Sequence, residues 1–153
     1  MNFPKMEETL NDIKAQLSAL TDSQGNPLLS EVRTLYGVPI FSELFNVMDD
    51  LARFPAAVVS SGDVFADPQF GGLIQDVEYH VFLLAETNGV PACETAAVDT
   101  HEKVMTALKG SVPGMPLKLN HIPVQLISSE KLPLRPELRG WKLLLNAKMS
   151  AAF

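Results

Sequence analysis

Hydrophobic positions along the chain change period several times, and each change marks an element. Met6, Leu10, Ile13, Leu17 and Leu20 recur at steps of three and four, which predicts an amphipathic helix over the first twenty residues. The turn-rich run "DSQGNP" ends it, and "LLSEVRTLYG" reads as a short strand. Ser42 can then cap a second helix with Leu44, Phe45, Met48 and Leu51 along its apolar side. That helix is expected to end at Phe54, because the residue before a proline is pushed out of the α region and Pro55 follows. Ala57, Val58 and Val59 predict a strand immediately after the corner, and "SSGDVFADPQFGG" a loop.

The second half alternates more strictly. Between about Leu73 and Ala85, Val77, Tyr79, Val81 and Leu83 fall on one strand face, while Glu78 and His80 begin the other. A third helix is predicted from about Glu94 to Lys109, with Gly110 placed to close it. Two strands end the chain. Ile122, Val124 and Leu126 share one face of the first, and Pro123 suggests an edge or a bulge there. In the second, Trp141, Leu143, Leu145, Ala147 and Met149 alternate with Lys142, Asn146 and Lys148. The sum is an α+β domain over residues 1–153, a mainly antiparallel sheet of four to five strands with about three helices packed against it.

Composition adds bounds. With 153 residues, 46% of them hydrophobic, the chain can fill one core, and with 20% charged residues and no low-complexity tract it is not disordered. No apolar stretch nears the roughly 18 residues of a membrane span, and the N-terminus lacks the basic cap and apolar run of a secretory signal. A single cysteine, Cys93, cannot make an internal disulfide. These features predict a soluble, intracellular domain. The net charge of −6 is divided unevenly: residues 1–100 carry 4 Lys/Arg against 15 Asp/Glu, and residues 101–153 carry 8 against 3. The basic third lacks the interleaved aromatics of a nucleic-acid surface, so solvated strand faces account for it better. Acidic and basic surfaces of neighbouring subunits could also meet.

The search for chemistry is mostly negative. There is no phosphate-cradling glycine motif. "SSGD" lacks the first glycine of a nucleophile elbow, which argues against Ser60 or Ser61 as a nucleophile. "HEKVM" has Met105 where a zinc-protease helix needs its second histidine, so His101 and Glu102 are expected on an exposed helical face. Cys93 sits where a helix dipole could activate a thiol, with His80, His101 or His121 as conceivable partners, yet no local signature supports a thiol enzyme. Asp63, Asp67 and Gln69 lack the spacing of a calcium loop. No catalytic, cofactor or metal-binding residue is assigned, and the chain is not expected to be an enzyme. What stands out is Phe65 and Phe70 in a loop rich in glycine and aspartate. Either they tuck back over the sheet or they meet another subunit.

The helix ending in "LARFPAAVVS", the strand "IQDVEYHVFLLAE", the helix "ETAAVDTHEKVMTAL" and two closing strands resemble, in that order, the tail terminator proteins of tailed phages. The likeness is to the Mu-like branch of contractile-tailed phages and covers most of the chain in pattern. It implies a virion structural subunit, assembled in the host cytoplasm, that forms a homohexameric ring on the tail tube. Such a ring stops tube and sheath growth and offers a surface for the head–tail connector. DNA would pass its lumen only as cargo, and no membrane or cofactor is involved. On this view Leu51, Phe54 and Pro55 form a structural corner that fixes the angle between helix and sheet, while Asp63, Phe65, Asp67 and Phe70 are candidate subunit or tube contacts. Another head–tail completion or baseplate role stays open, as does a small ligand-binding or thiol-dependent domain.

Overall fold

The computed structural model describes residues 3–35, 53–66, 74–110, 117–119, 122–132, 134 and 137–150. In chain order these form α1 (Phe3–Ser18), β1 (Glu31–Leu35), β2 (Ala56–Ala66), β3 (Ile74–Glu86), α2 (Pro91–Lys109), β4 (Leu117–Leu119), β5 (Ile122–Lys131) and β6 (Leu138–Ser150). The strands make one mixed sheet in the order β1-β2-β3-β6-β5-β4. The α+β class is as expected, but the sheet has six strands instead of four or five, because the short β4 pairs with the start of β5. It is also not antiparallel throughout. Glu31 to Leu35 run parallel to Ala56 to Ser60, a pairing of segments too far apart in sequence for local periodicity to show. Two helices lie among the described residues. The helix expected from Ser42 falls outside them, except for Arg53 and Phe54, which are bends and not helix.

Both helices pack on one face of the sheet. Leu10, Ile13 and Leu17 of α1 are fully buried there, as are Val104 and Leu108 of α2. They meet the alternate residues predicted from the sequence: Val77, Tyr79, Val81 and Leu83 on β3, and Leu143, Leu145, Ala147 and Met149 on β6. The sheet curls enough for α1 to touch both outer strands, β1 and β4. The Tyr79 hydroxyl donates a 2.9 Å hydrogen bond to the Met6 carbonyl, giving the one polar atom of that buried ring an acceptor. Burial pushes its phenol far above the ordinary tyrosine value.

The opposite face carries a smaller apolar cluster, Ala56, Val58, Phe82, Leu84 and Leu138, against which Leu35, Phe54, Leu132 and Leu134 pack. It occupies only the end of the sheet where β2 begins. α2 starts at Pro91, three residues before the expected boundary, since proline suits the first helical turn. Gly110, with φ of 88°, ends the helix at the expected position.

Candidate functional site

Residues 60–66 form the first departure from the expected loop. β2 continues to Ala66 because a register shift between Ser61 and Val64 absorbs the turn-forming Gly62 and Asp63 within the strand. A side chain at Gly62 would place its Cβ 3.1 Å from Glu78 Cβ and 3.2 Å from the Glu78 carbonyl oxygen, so glycine permits the close crossing of β2 and β3. Beyond the bulge Val64 faces Val77 under the helices, and Phe65 lies opposite Asp76 on the other face. Phe65 is 51% exposed and Asp63 is exposed as well. Asp67, Phe70 and Gln69 lie outside the described residues.

The neighbourhood of Phe65 is an ordered polar row. Lys148 Nζ stands 3.1 Å from Asp76 Oδ1, and Asn146 Nδ2 donates to the same oxygen at 3.2 Å. Partial burial pushes the Asp76 carboxyl up, but the hydrogen bond from Asn146 and the Lys148 ammonium outweigh it and hold the group below its ordinary value.

The proline corner lies at the other end of β2. The Phe54–Pro55 peptide is cis, and Ser30 ties the corner to the start of β1: its amide donates to the Pro55 carbonyl at 2.7 Å, and its hydroxyl to the Phe54 carbonyl at 3.2 Å. Phe54 packs against the second apolar cluster; Leu51 lies outside the described residues. Beside the corner is a groove of about 300 Å3 lined by Phe54, Pro55, Ala85, Glu86, Cys93 and Ala96. Cys93 is exposed on its wall. Among the described residues no histidine is brought to it: His80 belongs to the opposite face, and His101 is engaged elsewhere; His121 lies outside the described residues.

His101 corrects a second expectation. Instead of standing in solvent it stacks on Trp141, with ring centroids 4.5 Å apart and planes inclined by 13°. Its Nε2 lies 2.7 Å from Ser129 Oγ. Burial lowers its pKa against the opposing pull of Glu102. The helical pattern alone could not show this contact, because the partner is forty residues away.

Between the two ends, sequence reasoning missed a polar group on the second face. Ser60 and His80 are directly opposed on β2 and β3. Both are buried, and Ser60 Oγ and His80 Nδ1 have no hydrogen-bond partner among the described residues. Glu78 Oε2 stands 3.7 Å from His80 Nε2, too far for a hydrogen bond. Burial, seconded by Lys142, lowers the His80 pKa despite Glu78. The shared parity of Ser60 and His80 relative to the bulge was the available signal. A serine with no exposed surface cannot meet a substrate here, so the trio works as strand packing and not as an acyl-transfer site.

The uneven charge along the sequence is partly mixed by folding. Arg139 Nη2 pairs with Glu94 Oε1 at 2.6 Å, and Lys148 with Asp76, so each joins the basic third to the acidic part of the same subunit. Among the described residues no group of three or more His, Cys, Asp or Glu side chains is placed to hold a metal ion, and no helix is long and apolar enough to cross a membrane. Comparison with protein-family models and with curated proteins finds no match for the chain.

Proposed function

We propose that this chain is a ring-forming structural subunit of the tail-terminator type, which caps the tail tube of a contractile-tailed phage, halts its growth and presents a surface to the head connector. The observation that carries the reading is the half-exposed Phe65, held near the end of β2 opposite Asp76 and not folded back under the helices. A large aromatic kept in solvent by a regular strand suits a contact with another chain. The order of elements adds support: a helix and strand before the corner, a long hairpin, a helix, then a closing antiparallel pair. The work of such a protein is binding without bond chemistry, so its active parts are surfaces and their spacing.

The test is to mix the purified chain with tail tubes and image them in negative stain. The reading expects density capping one end of each tube and a narrower spread of tube lengths when the chain is present during polymerisation. Tubes that remain uncapped and grow as before would overturn it. Capping by pre-formed tails that leaves tube length unchanged would instead favour a connector or other completion role.

A further inference from the structure

The turn between β3 and α2 holds the single Asn–Gly pair of the sequence, Asn88–Gly89. Both residues are exposed and both have positive φ, 49° and 73°, a conformation that asparagine tolerates and glycine adopts freely. One hydrogen bond closes the turn, from the Val90 amide to the Thr87 carbonyl at 2.9 Å. Two more anchor it to the start of β6, where the Thr87 and Asn88 amides donate to the Glu137 carbonyl at 2.8 and 3.2 Å. Among the described residues neither the Gly89 amide nor the Asn88 carboxamide makes a hydrogen bond.

A nucleophile and an electrophile therefore stand on adjacent residues, in water and unengaged. Glycine offers the least hindered amide nitrogen, because its α-carbon carries no side chain. A Cβ built on Gly89 would meet nothing within 4 Å, so the peptide between the two residues has room to rotate. Rotation gives up the exposed turn-closing hydrogen bond, most of whose strength water replaces. Other asparagines are held differently. Asn11 lies within α1, and Asn146 lies within β6 with its Nδ2 given to Asp76. Asn26 precedes Pro27, whose nitrogen has no proton to give up.

We propose that Asn88–Gly89 is a modification site, at which the Gly89 amide nitrogen attacks the Asn88 side-chain carbonyl and closes a succinimide. The bond from that nitrogen to Cγ forms as the Cγ–Nδ2 bond breaks, and the proton lost from Gly89 leaves on ammonia. Water then opens the ring. Attack at the side-chain carbonyl gives aspartate; attack at the main-chain carbonyl of Asn88 gives isoaspartate. Either product places a new negative charge near the exposed Glu86 and Glu137. Isoaspartate also inserts a carbon into the backbone of the turn, which should pull the Thr87 and Asn88 amides off the Glu137 carbonyl. The site acts within one copy and is independent of the assembly reading.

The test ages the folded full chain in mildly alkaline buffer, where the Gly89 nitrogen loses its proton more readily, and maps its peptides by mass spectrometry, with isoaspartate read by enzymatic methylation. The peptide spanning Asn88–Gly89 should gain the mass that separates a hydroxyl from an amino group, at least tenfold faster than the peptides of Asn11 and Asn146. Asn88→Gln should abolish the gain, since its longer side chain would have to close a larger ring. The aged fraction rich in isoaspartate should melt below the fresh protein, whereas Asn88→Asp, which adds the charge without lengthening the backbone, should melt closer to it. An Asn88 peptide that stays unchanged in the folded chain overturns the proposal, and its conversion in urea alone would show that the turn protects the pair. Conversion of Asn146 at the same rate overturns it as well, because the exposed turn would then confer no selectivity.

Discussion

On the helix-covered side of β3, Val77, Tyr79, Val81 and Leu83 are all fully buried, and the chemistry is the same from one end to the other. One residue out of phase, Asp76, Glu78, His80 and Phe82 grade from ion-paired to apolar over about 20 Å of the same strand. The two faces share a backbone and a register, so the difference lies wholly in which residues occupy each parity. The uniform face supplies stability. The graded face is pinned at the Pro55 end by its own apolar cluster and left open at the Phe65 end, which frees that end to vary without unfolding the subunit.

Substitution of neighbours on β6 separates the two faces most sharply. Leu143→Ala removes a fully buried side chain under the helices and should cost about 2–5 kcal/mol in urea unfolding. Leu144→Ala, half-buried on the graded face, should cost about 1 kcal/mol. Equal losses would dissolve the distinction. Gly62→Ala probes the crossing between the faces: its Cβ would press on the backbone of Glu78, which cannot swing aside, and a loss of about 1–2 kcal/mol is expected.

A smaller effect should appear with pH. His80 on the graded face and His101 on α2 both have lowered pKa values in the fold, against 6.5 when unperturbed. As pH falls through 6.5 the unfolded chain takes up protons that the folded chain resists, so acid favours unfolding. Stability should be complete above pH 6.5 and decline toward the lower folded values. Thermal melts between pH 7.5 and 5.5 check this, and His80→Gln and His101→Gln should each flatten the decline. A melting temperature that rises on acidification would contradict the assigned direction.

Much of this scaffold was legible in the sequence because its signals are local. Alternation in "VEYHVFL" and "WKLLLNAKM" identified β3 and β6 with the correct inward residues, three- and four-residue steps identified α1, and Gly110 marked the end of α2. The misses follow from contacts that local pattern cannot express. The parallel β1–β2 pairing joins segments twenty-five residues apart. Gly62 and Asp63 are turn-forming residues, yet here they sit in a bulge that lets β2 run on to Phe65. His101 looked solvent-facing because its helix could not reveal Trp141 beneath it. Of the candidate contacts, Asp63 and Phe65 are exposed at one end of the sheet, and the corner residues Phe54 and Pro55 stand at the other. The groove beside that corner was not foreseen, since its walls come from β3 and α2 as well as from the proline.

On the proposed reading the exposed end of the graded face serves assembly and not folding, and Phe65→Ser separates the two when melting and self-association are measured on the same sample. An exposed substitution of this kind should leave stability within about 0.5 kcal/mol of the wild type, while association in multi-angle light scattering, alone and with tail tubes, should be lost. A variant that melts several degrees lower yet assembles as before would contradict the account, because Phe65 would then belong to the fold and not to the contact.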